Sequence, residues 1–111
     1  MTDPKVLTRL LPDGWDRMTF APFRDGVEIC HLWQGGPDVA LLRYAAGASV
    51  PRHRHTGLET ILVLSGSQSD EAGTYPAGSL VFNPEGSEHS VWSVDGCTVL
   101  IQWERPVAFV G

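Results

Sequence analysis

The segment between Gly47 and Gly66 constrains the fold most: it reads GASVPRHRHTGLETILVLSG. His53 and His55 stand two residues apart, and in an extended strand side chains two apart share a face. Both imidazoles are therefore expected to point at one spot. Glu59 follows a turn at Thr56-Gly57 and can add an oxygen ligand. A second segment, GSLVFNPEGSEHSVW, starts at Gly78 and places Pro84, Gly86 and His89. His89, from a separate strand, supplies a third imidazole. Three neutral imidazoles and one carboxylate suit a single divalent transition metal ion, with Zn, Fe, Mn and Ni all compatible.

The rest of the chain is consistent with short strands around such a site. The sequence has 111 residues, the size of one domain, so residues 1–111 are expected to form a single unit. Its 12 glycines and 8 prolines punctuate β-rich runs, a cadence typical of an antiparallel sandwich or barrel. The expected runs are 17–22, 26–34, 39–44, 49–55, 59–64, 67–70, 73–75, 79–83, 88–93, 97–104 and 107–110. No helix is expected; Val6, Leu7, Leu10 and Leu11 suffice for a turn or two before Pro12. Alternation puts Glu59, Ile61 and Val63 on one face, and His89, Val91 and Ser93 on another. Arg52 and Arg54 alternate with the histidines and are expected to face away from them. His31 reads as a structural histidine, with an orienting role toward a ligand as the alternative. Trp92 is expected to face away from His89, and Tyr44 and Gln102 are candidates to reach a cavity.

Composition narrows the function. A formal net charge of −5 disfavours non-specific nucleic-acid binding, which needs Lys and Arg against phosphate. No stretch approaches the roughly 18 apolar residues of a membrane helix, and the start of the chain lacks the apolar core of a signal peptide. The expectation is a cytoplasmic protein without membrane contact. Cys30 and Cys97 are too few for a disulfide framework and read as buried free thiols. Glycosidase-like carboxylate pairs, phosphate-binding glycine loops and CxxC pairs are not apparent.

The two segments resemble the two motifs of the cupin superfamily. The first matches at Gly47, His53, His55, Glu59 and Gly66, and the second at Gly78, Pro84, Gly86 and His89. Ser93 departs from the family pattern, which usually has Asn there. A closer resemblance is to the ChrR-like cupins, carried by Gly57 ahead of the Glu, the SDEAG connection, the N-P-x-G-S-x-H turn and D-G-C before the last long strand. This resemblance covers about half of the chain. It implies an all-β fold, the cupin double-stranded β-helix or jelly-roll barrel, with metal at His53, His55, Glu59 and His89. Small cupins commonly pair through free sheet edges, so a homodimer is expected.

Two functions follow from the resemblance. The first is a metal-binding sensor or small-molecule-binding module. Full anti-sigma proteins of this type also carry an N-terminal helical zinc domain; the segment ahead of Gly47 has no His/Cys cluster for one, so a direct anti-sigma role is not expected. The second is a non-haem Fe(II) dioxygenase acting on a small diketone or aromatic ketone, as stand-alone relatives of the group resemble such enzymes. A sugar isomerase is disfavoured because Lys5 is the only lysine.

Overall fold

The computed structural model describes residues 3–111; Met1 and Thr2, which the single-domain expectation includes, lie outside the described residues. Ten strands follow one short 3₁₀ turn at Gly14–Arg17. They are β1 (Ala21–Arg24), β2 (Val27–Trp33), β3 (Asp38–Tyr44), β4 (Ser49–Arg54), β5 (Glu59–Asp70), β6 (Gly73–Pro76), β7 (Leu80–Asn83), β8 (Glu88–Trp92), β9 (Cys97–Trp103) and β10 (Ala108–Phe109). All pairings are antiparallel, and the sheet order is β1-β2-β3-β9-β5-β8-β4-β10, with β6 and β7 also on β5. The sheet curls into the antiparallel barrel expected from the sequence.

β5 closes the curl. Its first half pairs with β7 and β9, and its second half pairs with β6 and touches β8. The sequence reading split this stretch into 59–64 and 67–70, with Gly66 between them. The structure instead bends one strand through an irregularity at Val63/Ser65 and a positive φ of 68° at Gly66. A bulge of this kind raises local twist and turns a strand from one sheet into the other. A Cβ at Gly66 would stand 2.0 Å from the Gly96 carbonyl oxygen. Gly66→Ala therefore combines backbone strain with a backbone clash and is expected to destabilise the fold by about 2–4 kcal/mol, read by urea unfolding. A loss under ~0.5 kcal/mol contradicts this account of the bend.

The first strand differs from expectation. Residues 14–17 form the 3₁₀ turn, and β1 starts at Ala21 and not at residue 17. The cause is the hairpin: Arg24 pairs with Val27, leaving Asp25-Gly26 as a two-residue turn, so the strand feeding it must run up to Arg24. The segment before β1 instead packs Trp15, Met18 and Phe20 over Cys30, Leu32 and Leu41, on the outer face of β2 and β3. The main core lies inside the barrel, on Val27, Ile29, Ala40, Leu42, Ile61, Val63, Val91, Val99 and Ile101. β3 is thus buried on both faces, Leu42 inward and Leu41 outward. Both cysteines are buried and free.

Candidate metal centre

Strand pairing builds the site. β4 and β8 place His53 directly opposite His89. His55 sits one residue past the end of β4, and the Pro84–Ser87 turn pins it there: the His55 amide donates to the Ser87 carbonyl, and the Gly86 amide donates to the His55 carbonyl. Glu59 opens β5, between Asn83 of β7 and Trp103 of β9. All four side chains are buried. The three rings stand edge to face with centroids 4.7–5.1 Å apart. One ligand atom from each of His53, His55, Glu59 and His89 lies within 4.8 Å of the others, a group able to hold a metal ion.

The outer contacts determine which ring nitrogens are available. His53 Nδ1 lies 2.9 Å from the Pro51 carbonyl oxygen, and His55 Nδ1 lies 2.9 Å from the Ser87 carbonyl oxygen. His89 Nδ1 lies 3.0 Å from Asp70 Oδ2. Carbonyl and carboxylate oxygens only accept, so each Nδ1 carries the proton and donates it. That leaves an Nε2 lone pair on every ring, the tautomer a metal requires. The Nε2 atoms of His55 and His89 are buried with no hydrogen-bond partner. Glu59 Oε1 stands 3.2 Å from His55 Nε2 and accepts from the Asn83 amide at 3.0 Å. Buried nitrogens without partners are costly; beside a carboxylate, a cation satisfies them. The donor set therefore fits a divalent metal.

The local electrostatics agree. Burial pushes the Glu59 carboxyl up, but His55, the Asn83 amide and His53 more than reverse this and hold it below its ordinary value. Burial pushes His55 down, and Glu59 more than reverses that, so its pKa is raised. The field that draws a proton to His55 draws a metal cation equally. Burial also lowers His53, only partly offset by the Pro51 carbonyl.

Asp70 is a residue the sequence reading missed. Its Oδ1 accepts from Tyr75 Oη at 2.7 Å and from the Ala72 amide at 2.9 Å, while Oδ2 holds His89. Burial pushes this carboxyl up, but those three donors outweigh it and keep it below 3.8, while the same bond pushes Tyr75 up to about 12. A carboxyl held low in the fold stabilises it fully above the unfolded pKa and loses that contribution as pH falls through the folded value. Asp70→Asn is expected to lower the thermal midpoint of the metal-free protein at pH 7. The gap to wild type should narrow once pH drops below about 3.8. A gap independent of pH contradicts a role for the charge.

Other expected residues divide. Arg52 and Arg54 face solvent as expected, and Arg52 pairs with Glu88 at 3.2 Å and Glu71 at 3.7 Å. Ser93, at the position where the pattern departs, is fully buried, and its hydroxyl donates to the Ser67 carbonyl at 2.6 Å. Tyr44 does line the cavity beside the site, and burial pushes its hydroxyl up so that it stays protonated. Gln102 is exposed and does not reach the cavity, because its neighbours Ile101 and Trp103 take the inward positions of β9. His31 is exposed near the end of β2, a position that fits its reading as a structural histidine and not an orienting role toward a ligand. Asp70, Asn83 and Ser87 complete the centre. Asn83 and Ser87 stood inside a quoted motif, but their partners depend on β5 and on the turn geometry.

An apolar cavity of about 110 Å³ adjoins His53 and Glu59, walled by Leu42, Val50, Ile61, Val91 and Ile101. Comparison with known proteins adds descent. The family model for the ChrR cupin-like domain matches residues 14–106. The anti-sigma-E factor ChrR of Cereibacter sphaeroides is 36% identical over 87 residues, covering 76% of this chain and 41% of that protein. In the crystal structure of Rhodobacter sphaeroides SigE in complex with the anti-sigma ChrR, the matching chain superposes with a TM-score of 0.69 at 31% identity, over 76% of this chain and 47% of that one. The acetylacetone dioxygenase of Acinetobacter johnsonii superposes with a TM-score of 0.82 over 100% of this chain and 80% of its own, at 18% identity, a likeness of fold. This chain thus spans less than half the length of the ChrR proteins it matches. With the motif residues gathered at one centre and the family model matching most of the sequence, the chain belongs to the ChrR cupin-like domain family.

Proposed function

We propose that this chain is a monocupin, residues 1–111 forming one domain, that holds a single divalent transition metal and serves as a sensor or small-molecule-binding module. The observation that carries this reading is the fixed tautomer of all three histidines, with two buried Nε2 atoms left without partners beside Glu59. His53, His55, Glu59 and His89 would be the ligands, and Zn, Fe, Mn and Ni all suit them. Bound there, the metal supplies a Lewis acid with coordination positions left for a ligand. The protein's own residues orient the rings, and the apolar walls limit water at the cavity side.

A second reading, a non-haem Fe(II) dioxygenase for a small diketone or aromatic ketone, draws support from the apolar cavity beside His53 and Glu59. Protein loaded in turn with iron, manganese and zinc separates the two by oxygen uptake with a small enolisable diketone. The module reading expects metal retention and no turnover. Multi-turnover uptake by the iron form, lost in Glu59→Ala and with zinc, overturns it in favour of the enzyme, since zinc has no redox chemistry.

The assembly is proposed to be a homodimer. Among the described residues β7 pairs with β5 alone, and it exposes Leu80 and Phe82, an apolar edge suited to a second copy. A protein partner of sigma-factor type, as the ChrR relative has, is a further proposal for a longer assembly. Two buried free thiols fit the reducing cytoplasm, and no helix among the described residues is long and apolar enough to cross a membrane.

A further inference from the structure

Charged or ligating side chains line the cavity beside the metal centre at two places. Glu59 and His53 stand at the ligand cluster, and Arg24 stands at the rim with the exposed rings of Phe23 and Phe109. The remaining lining is apolar, Trp103 included, apart from Tyr44 and Gln68, which are neutral polar groups. Arg24 is the arginine among the lining residues of this cavity. Arg17, Arg43 and Arg52 each hold a carboxylate. Arg24 has no acidic partner within ion-pair distance among the described residues, and its guanidinium lies 4.7 Å from the Phe109 ring centroid. A guanidinium beside an aromatic ring gains from the ring's negative face and can keep its N–H groups for a planar anion. A planar fork with free donors matches a carboxylate.

We infer that the cavity binds a small monocarboxylate, its carboxylate on Arg24 at the rim and its apolar body against Val50, Ile61 and Val91. Arg24 attracts the carboxylate at the mouth, and the apolar walls behind it take the body of the ligand. Size sets the class. At about 110 Å³ the space falls well below the roughly 300–1,000 Å³ of sites for drug-sized ligands, so the body is a short alkyl chain or a single ring. The inference deepens the binding-module reading and rests on it, but it needs no particular metal.

The test titrates full-length protein, metal-free and zinc-loaded, with butyrate and benzoate and with their neutral amides, following methyl resonances of Ile61 and Val91 by NMR. Metal content is measured on the same samples. The acids are expected to bind about tenfold or more tighter than the amides, the usual margin for a charge-assisted hydrogen bond. Arg24→Gln should erase that margin with metal content unchanged, and Arg24→Lys should keep part of it. Equal binding of acid and amide, an intact margin in Arg24→Gln, or no binding of either probe overturns the inference. Metal bound at full stoichiometry in those samples leaves the metal reading standing, so the two failures are distinguishable.

Discussion

His89→Ala is expected to reduce bound metal to background. The substitution removes one of three imidazoles and leaves His55 Nε2 and Glu59 facing an incomplete shell. The loss should exceed the roughly 10–100-fold that follows removal of an outer hydrogen-bond partner, and so should exceed the effect of Asp70→Asn on the same ring. His53→Ala should match it, because β4 and β8 place the two histidines opposite one another. Arg54→Ala, exposed on the far side of the same strand, should leave metal content unchanged. Affinity in wild type should fall as pH drops through about 6.5, where protons compete for imidazole nitrogens. Metal content measured by mass spectrometry after exhaustive dialysis reads all of these. Loss of metal in Arg54→Ala as complete as in His89→Ala contradicts the register of β4.

Ile61→Ala is expected to destabilise the fold by about 2–5 kcal/mol, the range for deleting a fully buried aliphatic side chain. Ile61 is 1% exposed, pairs with Val81 of β7 and Ile101 of β9, and forms a wall of the cavity. The neighbouring core cannot collapse into the space without moving two strands, which places the cost high in that range. Val94→Ala, at a residue 65% exposed, should change stability by less than about 0.5 kcal/mol. Equilibrium urea unfolding separates the two. Equal effects contradict the placement of the core inside the barrel.

Much of this was legible in the sequence because strand alternation is a local property. Glu59, Ile61 and Val63 face inward together, as do His89, Val91 and Ser93, and all six are buried. The clustering of the four candidate side chains was readable for the same reason: His53 and His55 share a face by period alone, and the motif spacing supplied Glu59 and His89. The contacts that orient the ligands were not readable. Asp70 reaches His89 only because β5 bends at Gly66 and carries its second half onto the opposite sheet. A one-residue irregularity at Val63/Ser65 reverses the parity of everything after it, and no local pattern announces it. Gln102 failed for a related reason, as its facing depends on its pairing partners. The displaced first strand was set by the Asp25-Gly26 hairpin more than by the propensity of residues 17–22.

The central claim is that His53, His55, Glu59 and His89 bind one metal ion through three Nε2 atoms whose Nδ1 protons are held outward. Long-range ¹⁵N–¹H NMR of the histidine rings, recorded as zinc is titrated into metal-free protein, tests it most directly. The account predicts Nδ1-protonated rings for all three residues, Nε2 shifts that change together and saturate at one zinc per chain, and no change at the exposed His31. Zinc bound through Nδ1, saturation without a response from one of the three rings, or no saturable binding would contradict it.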